Sequence, residues 1–188
     1  MAIVLTGLAR TRLTAGDTVG VIGPGSLGLL TAIAARASGA ARVVIAGRTS
    51  SAARLALARR LGFETAQSGR VQPAARARGL DIVVDTTGAP SGIGYGISLL
   101  RRAGQLLSLG LSDDDAVPVP WNLAMQRAIT VQFSLSSEYA SWDHALSLLR
   151  AARAEVGQLL TFFPLSEWQD AFRAVRQRTV IKALLVPD

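Results

Sequence analysis

TVGVIGPGSLG, residues 18–28, sets a short apolar run against three glycines spaced G-x-G-x-x-G. Thr18 to Gly23 reads as a buried strand, and a helix is expected from Ser26 to about Ser38. A Gly-rich hexapeptide alone says little in a chain rich in Ala and Gly. Here it closes a strand and opens a helix, with a second strand soon after, and that context gives the spacing a physical meaning. Gly23 permits a tight turn, Gly25 lets a pyrophosphate come close, and Gly28 lets the helix pack on the strand. Backbone N–H groups at the helix start, around Ser26 and Leu27, then face the phosphates.

Outward from this junction the same rhythm repeats. Arg42 to Gly47 (RVVIAG) is a second strand, with a helix from about Ser51 to Leu61. Glu64 to Gln67 is a weak third strand, and the stretch up to Gly79 shows no clear element. Asp81 to Thr86 (DIVVDT) is a fourth strand and Pro90 to Arg102 a helix. Gln105 to Leu109 and Thr130 to Leu135 are further strands. Ser137 to Ala152 has helical periodicity, with Trp142, Ala145, Leu146 and Leu149 on one face. Near-continuous apolar strands alternating with helices predict an α/β fold, a doubly wound parallel sheet covered on both faces. Leu159 to Phe163, Ser166 to about Arg176 and Ile181 to Val186 add a strand–helix–strand tail. The expected division is therefore 1–154 for the dinucleotide domain and 155–188 for the tail.

The end of the second strand bears on which dinucleotide is held. An Asp or Glu there would bond the ribose 2′-hydroxyl of NAD. No acidic residue occurs between Asp17 and Glu64, and the position holds Gly47, Arg48, Thr49, Ser50 and Ser51. Gly47 leaves room for a 2′-phosphate, Arg48 offers it charge-assisted hydrogen bonds, and the hydroxyls add neutral ones. NADP(H) is expected over NAD(H). The bland alternative makes Arg48 a solvated residue after a strand.

LTAGDTVGVIGPGSLGLLTAIAARASGA, RVVIAGR and RLALARRLG resemble the coenzyme domain of the zinc-type medium-chain dehydrogenase/reductase superfamily. GLDIVVDTTGAP, LLRRAGQLLSLGL, VPVPWNLAMQRAITVQFS, WDHALSLLRA and PLSEWQDAFRAVRQRTVIKALLVP extend the likeness over almost the whole chain. It is closest to the alcohol, polyol and threonine dehydrogenase branch. The resemblance implies a six-stranded sheet in Rossmann order with the nicotinamide across its later strands. It also implies that Thr87 and Gly88, then Leu109, Gly110 and Leu111, then Phe133 and Ser134 contact the nicotinamide ribose and carboxamide, largely through backbone. It further implies a homodimer paired along the sixth strand, about 129–135, since an apolar edge strand wants a partner.

The family's zinc ligands and proton relay belong to an N-terminal catalytic domain, on which the tail also packs. This sequence has no Cys and one His, His144, so it cannot assemble that ligand set. No zinc is expected in this chain, no catalytic residue is assigned, and hydride transfer is expected to need residues absent from it. Phe162, Phe163 and Trp168 of the tail are expected to be left partly exposed or to pack anew. An alternative reading is a naturally truncated Rossmann protein with a non-redox catalytic, binding or scaffold role.

Other constellations carry less. Asp113, Asp114 and Asp115 are consecutive and splay rather than converge on a metal. Lys182 is the only Lys, and no Tyr-x-x-x-Lys spacing accompanies Tyr95 or Tyr139. The serines lack His and Asp partners in a plausible order. The formal charge of +7 arises before Leu80, where eleven Arg face Asp17 and Glu64 alone. That suits a phosphate-rich cofactor, although an Arg-biased genome accounts for much of it. No nucleic-acid motif accompanies the charge, so nucleic acid is not an expected partner. Val19 to Ala35 is uncharged, but Pro24 and its glycines disfavour a membrane span. With no Cys and no basic N-terminal region, the cytoplasm is the expected compartment.

Overall fold

The computed structural model of the chain describes residues 1–68 and 79–188. The stretch 69–78, where the sequence shows no clear element, lies outside them. The chain divides into two compact units, Met1–Leu148 and Leu149–Asp188.

The first unit begins with α1 (Ala2–Ala9), β1 (Thr18–Ile22), α2 (Ser26–Ala37), β2 (Arg42–Gly47), α3 (Ala52–Arg60) and β3 (Glu64–Gln67). It continues with β4 (Leu80–Asp85), α4 (Pro90–Leu99), β5 (Leu100–Ser108), α5 (Trp121–Gln126) and β6 (Thr130–Phe133), and then α6 (Ala140–Ala151), which crosses the unit boundary. The strands form one parallel sheet in the order β3-β2-β1-β4-β5-β6, the expected Rossmann arrangement. The winding reverses between β1 and β4, which opens a crevice at the carboxyl ends of these neighbours.

Strand side chains alternate between two covered faces. Ile22, Ala46, Val83 and Leu106 pack with Ile97 of α4 and with the partly buried Leu123 of α5. Val19, Val21, Ile45, Val84 and Leu107, buried on the other face, lie on the side of α2, which meets β1, β2 and β4. Burying each such side chain contributes about 1.5–3 kcal/mol, which is why these strands read as near-continuous apolar runs.

Four local features depart from the sequence reading. Helix α1 was not anticipated: AIVLTGLA is apolar all round, and its Val4, Thr6 and Leu8 are buried. The helix expected to reach Arg102 stops at Leu99, because Leu100 already pairs with Leu80; a register shift follows on β4 and Ala103 takes φ 54°. A short helix, α5, follows Pro118 and Pro120. On α6 the apolar face read from the sequence is buried only in part. Ala145 is buried, but Trp142 is 54% and Leu146 50% exposed. The reason lies in α1: the Thr6 hydroxyl donates to Ser141 Oγ at 2.8 Å. That buried bond turns Ser141 and Ala145, four residues apart, inward and swings their neighbours out.

The second unit holds α7 (Arg153–Gly157), β7 (Leu160–Pro164), α8 (Trp168–Arg176) and β8 (Lys182–Val186). β7 and β8 pair in parallel from Leu160↔Lys182 to Pro164↔Val186, with α8 against both, the expected strand–helix–strand tail. Phe162 and Trp168 are exposed and Phe163 half-buried, with Trp168 stacked edge-to-face on Phe172 at 5.9 Å.

Candidate dinucleotide-binding site

Each cofactor-contact residue expected from the sequence lies at or just beyond the carboxyl end of a strand of the first sheet, along one edge. Gly23 follows β1; Gly25 caps α2, and Ser26, Leu27 and Gly28 form its first turn. Gly47 ends β2, and Arg48, Thr49 and Ser50 make the following turn. Thr87 and Gly88 follow β4; Leu109, Gly110 and Leu111 follow β5; Phe133 and Ser134 close β6.

The expected phosphate end is built by close approach. Gly23 turns with φ 104°, and a Cβ on Gly28 would lie 1.9 Å from the Gly23 carbonyl oxygen, so only glycine brings α2 this near to β1. A Cβ on Gly25 would meet nothing nearer than Arg54 Nη1 at 3.9 Å, so the cap residue faces open space. No side chain caps α2. Its first N–H groups, which have no intrahelical partner, point into that opening with the positive end of the helix dipole. The donor set and the cradle fit a pyrophosphate.

Gly47 has a packing reason that the sequence did not show: a Cβ there would lie 2.8 Å from the Pro24 ring. The second strand and the phosphate loop are thereby pressed together. Arg48 is exposed and has no ion-pair partner among the described residues. Arg54, in the first turn of α3, brings a second guanidinium beside Gly25. It was missed by sequence reasoning, and its position just after the Thr49–Ser51 turn was the available signal.

The expected nicotinamide end is tied to the Gly23 turn by Thr86, whose hydroxyl donates to the carbonyls of Ile22 at 2.8 Å and Gly23 at 3.2 Å. Asp85, also missed, is fully buried. Its carboxylate accepts from the Thr87 hydroxyl at 2.7 Å, the Thr87 amide at 3.2 Å and the Gly88 amide at 2.9 Å. Burial pushes its pKa above the ordinary carboxylate value, and these hydrogen bonds pull it part of the way back. The Asp85 carbonyl accepts from Leu109 at 2.8 Å and Gly110 at 3.1 Å. Ser134 donates its amide to Ser108 at 3.1 Å. The backbone contacts implied for Leu109, Gly110 and Ser134 are thus left to their carbonyls, since their amides are engaged within the protein. The Leu109 side chain turns away beneath α1, where a Cβ on Gly7 would be 2.7 Å from it. Leu111 and Phe133 are 82% and 69% exposed, and the Ser134 hydroxyl is buried without a partner among the described residues.

His144 is exposed on α6. Among the described residues no cluster of His, Cys, Asp and Glu is arranged to hold a metal ion, and no helix is long and apolar enough to cross a membrane.

Known proteins share both sequence and fold. The chain is 33% identical over 188 residues to a sorbitol dehydrogenase of Halalkalibacterium halodurans, covering 96% of this chain and 54% of that protein. It is 30% identical over 184 residues to a D-arabitol-phosphate dehydrogenase of Enterococcus avium, covering 94% and 52%. The chain therefore spans about half the length of these curated relatives. Among solved structures, an alcohol dehydrogenase of Thermotoga maritima superposes with a TM-score of 0.89 at 25% identity, over 100% of this chain and 55% of that one. A zinc-binding dehydrogenase of Sinorhizobium meliloti bound to NADP gives 0.83 at 22% identity, over 99% and 57%. Residues 26–151 match the family described as zinc-binding dehydrogenase, and with the Rossmann sheet and glycine-lined crevice in place, the chain belongs to that family as its coenzyme-binding half.

Proposed function

We propose that this chain binds NADP(H) in preference to NAD(H) and is the coenzyme half of an alcohol-dehydrogenase-like oxidoreductase. Hydride transfer then needs substrate and metal residues supplied from outside this sequence. The observation that carries the preference is Arg48: a cation without an ion-pair partner among the described residues, at the end of β2, in a stretch with no acidic residue from Thr18 to Phe63. A ribose 2′-hydroxyl finds no carboxylate there, whereas a 2′-phosphate finds a guanidinium and the hydroxyls of Thr49 and Ser50. The S. meliloti zinc-binding dehydrogenase of like fold is bound to NADP, which supports this reading.

In this reading the first turn of α2 holds the pyrophosphate through Ser26 and Leu27 amides, with Gly25 keeping the approach clear. Thr87, Gly88, Leu109, Gly110, Leu111, Phe133 and Ser134 line the nicotinamide end. The bound cofactor supplies the hydride; the chain orients its ring and shields one side from water. β6 is the last strand of the sheet, with Val131 41% and Phe133 69% exposed, which supports pairing with a second copy along 129–135. Residues 155–188 form the tail that meets the catalytic half.

The test is a titration of the 188-residue chain with NADPH and NADH, repeated on Arg48→Ala. The expected outcome is NADPH binding that weakens by about 1.5–3 kcal/mol on losing Arg48, with weak NADH binding unchanged. Equal affinity for the two nucleotides in the unaltered chain would overturn the preference, and binding of neither would overturn the cofactor reading.

A further inference from the structure

We propose that Asp85 is the positioning residue of the nicotinamide end, setting the loops after β4 and β5 through its two ends. The proposal rests on the cofactor reading above. A carboxylate at the last position of a central strand is costly to bury, and the preceding residues of β4, Ile82, Val83 and Val84, show the apolar alternative. The Asp85 side chain is nevertheless completely buried.

Every hydrogen bond shown to that carboxylate comes from the segment immediately following it. Oδ1 accepts from Thr87 Oγ1 at 2.7 Å and Thr87 N at 3.2 Å, and Oδ2 accepts from Gly88 N at 2.9 Å. The side chain therefore joins no other strand; it folds the Thr87–Gly88 loop back over its own strand end. Its main-chain oxygen does the corresponding work across the sheet, accepting Leu109 N at 2.8 Å and Gly110 N at 3.1 Å.

The loops so drawn together touch backbone to backbone. A Cβ on Gly88, which takes φ 65°, would lie 2.0 Å from the Leu111 carbonyl oxygen. One on Gly110 would lie 2.1 Å from Gly88 N. α4 closes from above, where a Cβ on Gly92 would be 2.5 Å from Thr87 Oγ1 and 3.3 Å from Asp85 Oδ1. With glycines at the contacts, the loops have little side-chain packing of their own to define them. The carboxylate supplies that definition, and with it the placement of Thr87, Gly88, Gly110 and Leu111 against the ring.

The bonds of the Asp85 carboxylate reach Thr87 and Gly88 and none reaches residues 23–28, whose hydrogen-bonded tie to this end is the Thr86 hydroxyl, so the two ends of the cofactor should respond differently. The experiment compares NADPH with 2′,5′-ADP, which fills only the adenosine end, on the unaltered chain, Asp85→Asn and Thr87→Val. Asp85→Asn preserves size but sets an amide N–H₂ against a donor; Thr87→Val removes one donor and leaves the carboxylate. The expected result is NADPH affinity falling about tenfold in Asp85→Asn and less in Thr87→Val, with 2′,5′-ADP affinity held within about twofold. Fluorescence of the bound reduced nicotinamide should move toward that of the free nucleotide. Equal losses for both ligands, or no loss for either, would overturn the role, and if Asp85→Asn does not fold, the split in Thr87→Val decides. Failure of 2′,5′-ADP to bind the unaltered chain would instead remove the cofactor reading.

Discussion

The two ends of the crevice are built differently. At the proposed phosphate end, neighbours in sequence do the work: Gly23, Gly25 and Gly28 shape one turn, with Arg48 following β2 and Arg54 beside Gly25. At the proposed nicotinamide end, loops some twenty residues apart meet through main chain, with the buried Asp85 as their common anchor. The first end is a local motif offering donors and cations. The second is a tertiary arrangement whose available amides are largely engaged, leaving carbonyls on its rim. In the proposed reading a surface substitution at the first end would alter nucleotide preference, while the second tolerates little change without moving its neighbours.

The largest expected effect is on Gly28. Replacing it with Val drives a side chain into the Gly23 carbonyl, so a loss of about 3 kcal/mol in unfolding free energy is expected, with both NADPH and 2′,5′-ADP binding abolished. Chemical denaturation checks the first, and retained binding of either ligand would break the claim that this turn depends on close approach. Gly88→Ala is expected to cost about 2 kcal/mol, since φ 65° and the Leu111 carbonyl both oppose a Cβ. Here 2′,5′-ADP should still bind while NADPH weakens; joint loss would show that the ends are not separable.

The smallest effect is expected at the opposite edge of the sheet. Asp81 accepts from Arg101 Nε at 2.6 Å and from the Thr18 amide and hydroxyl at 2.8 and 2.7 Å. Burial alone would raise its pKa, but these bonds outweigh it and hold the carboxyl below its ordinary value. Such a group stabilises the fold above its unfolded pKa, and that contribution is lost as pH falls through the folded value. Arg101→Ala should therefore cost about 0.5 kcal/mol near neutrality, the pair being partly exposed, and nothing once Asp81 is protonated. Denaturation at a series of pH values measures this gap, and cofactor binding should not change.

The contrast also explains what the sequence disclosed. Strand–turn–helix order, the glycine spacing and the missing acid before Glu64 are local patterns, so β1, α2, β2 and the Arg48 position were legible. Asp85 was not, because its role depends on which loop it bonds and on how deeply β4 lies. DTTG reads equally well as a turn at a strand end. The closeness of Gly47 to Pro24 was not legible either, because it joins two elements whose proximity only the folded sheet reveals. Helix α1 lacks a polar face and so offers no period to read, and the outward turn of Trp142 follows from its bond to Ser141.

The order of strands also carries a consequence for synthesis. β1 sits at the centre of the sheet, yet its pairing on one side, Val19 with Ile82 through Ile22 with Asp85, waits for β4. A ribosome that has released only the first three strands presents β1 with one side unpaired and apolar. Parallel pairing over such a separation is slow, because loop closure must precede the contacts that reward it. The nascent chain therefore passes through an interval in which its nucleotide turn is complete but its central strand remains open to aggregation.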